Sequence, residues 1–162
     1  MQRVHFTGLI FFIIFAMFFH YGSQTAPKKY HIPNFRTNWH KANEFCNSIG
    51  MRLLTIRSRE ENDAVAQFVQ STDKFNDVQC YFWIGGSDLG EEGVFSWVAT
   101  GKLVTFTNWS PGEPNNNNGT EDCMQMVFIP RFAQRWTWND NNCKGSHMYF
   151  ICEDATDCVM EF

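Results

Sequence analysis

Two short stretches of the chain concentrate oxygen-bearing side chains. GEPNNNNGTEDC at 112–123 holds Glu113, Asn115 and Glu121, and TWNDNNC at 137–143 holds Asn139 and Asp140. Taken singly, each has the composition of a solvated loop, because Asn, Gly and Pro are the residues turns prefer. Taken together they offer five carboxylate and amide donors without a His or Cys among them. That set suits a hard cation. Calcium accepts about six to eight oxygen ligands, whereas zinc and copper favour imidazole and thiolate, and magnesium prefers water and phosphate to a full protein cage. Ca2+ is therefore the expected ion. To aim Glu113 and Asn115 at one point the backbone must turn sharply between them, and a cis Glu113–Pro114 peptide would do so at modest cost. An ion left short of ligands by five side chains can take two neighbouring sugar hydroxyls. Each hydroxyl would donate its proton to a carboxylate and accept from an amide.

The same residues can be weighed as an enzyme site, with Glu113 and Glu121 as the carboxylate pair of a glycosidase. A cation would keep both ionised and leave no proton donor, and no Ser-His or Cys-His nucleophile set is visible, so catalysis is not expected. His31, His40 and His147 have no partner pattern for catalysis or metal binding. The formal charge of -4, with no basic cluster longer than Lys28-Lys29, argues against a nucleic-acid partner.

The elements that must position these loops begin after a leader. Arg3 and His5 precede an apolar run of 11 residues at 9–19 and a polar segment at 20–26. This reads as a signal peptide at 1–26, cut between 20 and 26, and the run falls short of the roughly 20 residues that span a bilayer. No membrane span is expected, and the protein is expected to be secreted. All six cysteines, Cys46, Cys80, Cys123, Cys143, Cys152 and Cys158, follow the leader. An even count in a secreted chain reads as disulfides, whose pairing spacing alone does not fix.

Thr37 can cap a helix in which Trp39, Ala42, Phe45, Cys46 and Ile49 recur at helical spacing, stopped by Gly50. A strand, MRLLTI at 51–56, follows. Ser58 and Glu61 then form a capping box for a second helix that turns Ala64, Val65, Phe68 and Val69 inward and ends near Ser71. Beyond it lie short aromatic strands: CYFWIGG at 80–86, FSWV at 95–98, LVTFTNW at 103–109, CMQMVFI at 123–129 and HMYFIC at 147–152. Two helices followed by strands predict an α+β domain. Its core would draw on the 17% aromatic content, with Trp83, Trp97, Trp109 and Trp138 as packing residues. The long loops between strands need staples, which disulfides and a bound ion can provide.

In order along the chain stand WHKANEFC, GMRLLTIRSREEN, WIGG, NWSPGEPN, EDC, WND and CE. With these marks the chain resembles the C-type lectin domain family, in its secreted, single-domain, invertebrate-like form, over 35–154. A short segment at 27–34 would precede the domain and a tail at 155–162 follow it. The resemblance implies the C-type lectin fold: two helices and two small antiparallel sheets with long calcium-binding loops. It implies bridges Cys46–Cys152 and Cys123–Cys143. It also implies calcium-dependent carbohydrate binding through Glu113, Asn115, Glu121, Asn139 and Asp140.

The Glu-Pro-Asn spelling goes in that family with mannose-type ligands (mannose, fucose, GlcNAc), and Gln-Pro-Asp with galactose. Swapping the donor and acceptor sides of the loop changes which hydroxyl geometry fits. The alternatives are a galactose-binding lectin and a lectin-like domain that binds protein without calcium. An auxiliary calcium site would map to Asp88, Glu92, Asn116 and Asp122, with Asn116 replacing a usual carboxylate. A role in innate immune recognition or agglutination of glycoconjugates is implied as well.

Three further features bear on this reading. IPRFAQRW at 129–136 lengthens the stretch between Cys123 and Trp138, and extends a strand turn more readily than it reshapes the sugar-facing rim. Asn118-Gly119-Thr120 and Asn108-Trp109-Ser110 are N-glycosylation sequons, of which Asn118 is the better acceptor because Trp109 and Pro111 flank the other. Cys80 and Cys158 are left to pair with each other, or Cys158 to join two chains as a homodimer.

Overall fold

The computed structural model describes residues 28–155. The expected leader at 1–26 and the tail from 156, Cys158 included, lie outside the described residues. α1 (Trp39–Ser48) turns Trp39, Ala42 and Cys46 inward. Ile49, at its end, is 44% exposed and falls outside the buried stripe, and Gly50 follows at φ 73°. The N-cap is Asn38 rather than Thr37: Asn38 Oδ1 accepts from Lys41 N–H at 3.0 Å. Thr37 is committed elsewhere, since its N–H and C=O both pair with Met148.

α2 (Arg59–Gln70) begins at Ser58, whose hydroxyl accepts from Glu61 N–H at 3.3 Å. The Glu61 carboxylate reaches back to Arg57 N–H at 2.7 Å, one residue before the usual partner of a capping box. Val65 and Val69 face the core as expected, but Ala64 is exposed and Asn62 is buried in its place. Asn62 belongs there because both ends of its amide are used. Nδ2 donates to Trp136 O at 3.2 Å and Oδ1 accepts from Trp138 Nε1–H at 2.9 Å.

The strands among the described residues are β1 (Tyr30–His31), β2 (Met51–Leu53), β3 (Cys80–Ser87), β4 (Ser96–Trp97), β5 (Lys102–Leu103), β6 (Cys123–Ile129), β7 (Gln134–Asn141), β8 (Tyr149–Phe150) and β9 (Cys152–Asp154). One sheet is antiparallel, in the order β1-β9-β2. The larger runs β5-β4-β3-β6-β7, with β8 added to β3 in parallel, so it is not wholly antiparallel. Of the stretch at 103–109 only Leu103 is in a strand. Its aromatics are held instead by Trp138, whose ring meets Phe106 and Trp109 edge-on at 5.4 and 5.9 Å. In the WIGG stretch, a Cβ on Gly85 would stand 2.8 Å from Leu53 O, so the approach of the two sheets there requires glycine.

The segment at 129–136 forms a 3-10 turn, Pro130–Phe132, and the start of β7, and so lengthens the β6-β7 hairpin. Its turn lies at the Ile129–Gln134 end of the ladder, while Asp140 sits at the opposite end, near Cys123–Asn141. Cys46–Cys152 ties α1 to β9, and Cys123–Cys143 ties the start of β6 to the segment after β7, with Cα atoms 5.5 and 5.2 Å apart. Cys80 is a buried free thiol among the described residues.

The small sheet is pinned by a charge that the sequence pattern does not reveal. Glu153 is fully buried, and its Oε1 accepts from Arg52 Nε–H at 2.9 Å, Thr55 Oγ1–H at 2.6 Å and Thr55 N–H at 3.2 Å. Oε2 lies 2.9 Å from Lys28 Nζ, an ion pair without hydrogen-bond alignment. Removing one member of a buried ion pair strands its partner in low dielectric. Glu153→Ala should therefore destabilise the fold by about 3 to 5 kcal/mol, seen as a lower urea midpoint at unchanged slope; a shift below about 1 kcal/mol would contradict this account.

Candidate functional site

The loop between β5 and β6 is laid along β7 before it reaches the acidic residues. Trp138 N–H donates to Asn108 O and Ser110 N–H to Trp138 O, both at 2.8 Å, and the Ser110 and Thr137 hydroxyls meet at 2.7 Å. Ser110, 2% exposed, is the last fixed point before the loop leaves the sheet. Glu113 N–H turns back to Ser110 O at 3.0 Å, and the Glu113–Pro114 peptide is cis, the isomer that would serve the sharp turn there.

Beyond the proline the loop closes onto β7 through one carboxylate. Asp140, 1% exposed, accepts from Asn115 N–H at 3.2 Å (Oδ1) and 3.1 Å (Oδ2), and from Asn116 N–H at 2.7 Å (Oδ2). Asn116 Oδ1 accepts from Glu121 N–H, and Glu121 Oε2 accepts from Asn117 N–H, each at 3.1 Å. The asparagine run now has a physical account. Asn116 (φ 41°) and Asn118 (φ 58°) adopt the left-handed conformation that Asn tolerates better than other non-glycine residues, while the amides of Asn115, Asn116 and Asn117 bond carboxylates.

The structure thus brings Glu113, Asp140 and the Asn115 backbone together and joins Glu121 to them through Asn116 and Asn117. Asn139 is half-buried, and its Nδ2 donates to the carbonyl of Asp140. The side chain of Asn115 is exposed. Among the described residues no three His, Cys, Asp or Glu side chains stand close enough together to hold an ion by themselves, so a cation here would have to draw on the amides as well.

The electrostatics fit such a cation. Glu113 Oε2 is buried without a hydrogen-bond partner. Burial first, then contact with Asp140 and the charge of Glu121, push the Glu113 carboxyl up to about 7. Glu121 is raised too, chiefly by burial and also by Asp140. Carboxylates packed this closely cannot all ionise without a proton or a positive charge between them.

The second expected set shows a similar orphan. Asp88, 3% exposed, accepts from Gly93 N–H at 2.8 Å through Oδ2, while Oδ1 is buried without a partner. Burial raises its carboxyl, and the charges of Glu92 and Asp122 raise it further. Asn116 directs its side chain to Glu121 N–H, linking this set to the first. The roles of Ser110 and Asn117 as anchors are not announced by residue type.

The profile of the Lectin C-type domain matches residues 36–154. C-type lectin mosGCTL-7 of Aedes aegypti is 45% identical over 127 residues, covering 78% of this chain and 83% of the relative. Salivary C-type lectin 1 of Aedes albopictus is 37% identical, covering 75% and 78% respectively. Among solved structures, the cow carbohydrate-recognition domain of CD23, determined in the presence of a GlcNAc2Man3 oligosaccharide, superposes with a TM-score of 0.65 at 28% identity, covering 83% of this chain and 92% of that one.

The raised Glu113 carboxyl gives a pH signature for the ion-free protein. A group whose pKa is higher folded than unfolded stabilises the fold below its unfolded value, and that stabilisation is lost as pH rises through the folded one. In chelator, the melting temperature should fall as pH rises from about 4.5 to about 7, and Glu113→Gln should flatten that limb; equal profiles for the two proteins would refute the assignment.

Proposed function

Because the chain belongs to the C-type lectin domain family, whose profile covers residues 36–154, we propose that this carbohydrate-binding domain is a secreted, calcium-dependent lectin for mannose-type sugars. The observation that carries the reading is the buried, unpartnered Glu113 Oε2 beside Asp140, on a loop turned by a cis proline toward Asn115. Glu113, Asn115, Glu121, Asn139 and Asp140 would hold Ca2+. Bound there, the ion would neutralise the crowded carboxylates and offer open positions to two vicinal hydroxyls.

The chain's own groups do the discriminating. Carboxylates at Glu113 and Glu121 accept the hydroxyl protons, and amides at Asn115 and Asn139 donate, an order that suits mannose, fucose and GlcNAc better than galactose. The crystal of the cow domain with a GlcNAc2Man3 oligosaccharide supports the choice of sugar class. The orphaned Asp88 Oδ1 supports an auxiliary ion held with Glu92, Asn116 and Asp122. The leader expected at 1–26 and the salivary relative support release from the cell, and among the described residues no helix is long and apolar enough to cross a membrane.

A shallow site that grips two hydroxyls binds a monosaccharide at about millimolar strength, roughly 4 kcal/mol. Agglutination or recognition of a microbial or host surface would then require several copies acting together, in a homodimer or larger group. On mannose-agarose the protein should be retained in calcium and released by EDTA; retention that ignores the chelator would point to a protein ligand instead. Asn115→Asp converts a hydrogen-bond donor into an acceptor, leaves acceptors on both sides of the loop, and should weaken mannose-type binding and alter the glycan-array profile. An unchanged profile would count against this assignment of the loop.

A further inference from the structure

The two sequons do not stand in equivalent places. Asn108 is half-buried, its Nδ2 donates to Trp136 O at 2.8 Å, and its partner Ser110 is buried with its hydroxyl on Thr137. A glycan there would have to share a nitrogen already bonded beneath the loop. Asn118, Gly119 and Thr120 are all exposed. Asn118 sits at φ 58° in the 3-10 turn Asn117–Gly119, and its immediate neighbour, Asn117, donates its N–H to Glu121 Oε2 at 3.1 Å. The acceptor is thus one residue from a backbone group that touches a carboxylate of the proposed sugar site.

We propose that Asn118 carries an N-linked glycan and that this glycan is a tethered competitor for the chain's own sugar site. The inference rests on the mannose-type reading above. An N-glycan is built of GlcNAc and mannose, the sugars of the oligosaccharide present with the cow relative, so the chain would carry its own ligand class at the rim of its own site. The arithmetic makes this a tuning device. A short flexible tether presents its end at an effective concentration of about millimolar, comparable to the dissociation constant of one such site. External binding should therefore weaken by one plus the ratio of the two, about twofold or somewhat more.

The test uses full-length protein secreted from cells held to high-mannose glycans. Peptide mass spectrometry should find Asn118 occupied, and an unoccupied Asn118 overturns the proposal. Thr120→Ala, which leaves the left-handed Asn118 in place, and Asn118→Gln should both tighten calcium-dependent binding to a mannosylated surface about twofold or more. Endoglycosidase H, which leaves one GlcNAc on Asn118, should tighten it equally, separating competition by the arms from steric blockage at the root. Equal binding by intact, trimmed and unglycosylated forms overturns this inference alone. Absence of calcium-dependent mannose binding in every form overturns the lectin reading and this inference with it.

Discussion

The arrangement turns on a carboxylate that is almost wholly out of water. Asp140 stands one residue before the end of a well-paired strand, and its two oxygens receive the backbone amides of Asn115 and Asn116 from a loop with few other fixed points. Charge-assisted bonds of this kind position an otherwise entropic segment. They also draw Glu113 against Asp140, creating the crowding that keeps one Glu113 oxygen unpartnered. The loop is therefore fastened by the same negative charge that a cation would come to neutralise, so that in the proposed site fastening and recognition would share one residue.

Behind Asp140 stands a scaffold whose parts cooperate to fix the end of β7. The β6-β7 ladder supplies register, Cys123–Cys143 closes the segment that follows, and Ser110 with Thr137 seals the loop's departure. Trp138 packs edge-on against Trp97, Phe106 and Trp109, and its indole N–H is held by Asn62 from α2. Helix, sheet and loop thus meet on one tryptophan two residues from Asp140. Such packing leaves little freedom for the strand end to shift.

Much of this was readable from residue type and spacing. Both helices followed from apolar periodicity, and the two disulfides and the turn at Glu113–Pro114 followed from the family resemblance and from the need to aim two side chains together. What was not legible depended on tertiary competition. Thr37 and Asn38 are comparable caps, and only the bridge to Met148 decides between them. Ala64 and Asn62 exchange places because a buried amide finds two partners that periodicity cannot foresee. The stretch at 103–109 has strand composition, yet its aromatics are spent on Trp138. Within the site, oxygen chemistry picks out the candidate donors, but not that Asn116 and Asn117 serve as struts between them.

The position of β9 has a mechanical consequence. It lies between β1 and β2, so the two ends of the described chain run side by side, and Cys46–Cys152 anchors β9 covalently to α1. A pull on both ends would load the short β1-β9 ladder first and open it bond by bond, as a zipper opens. The disulfide then acts as a stop, passing tension into the first helix and sparing the long loops. Under such a pull the segments that carry Glu113 and Asp140, both between Cys46 and Cys152 in the chain, stay outside the load path.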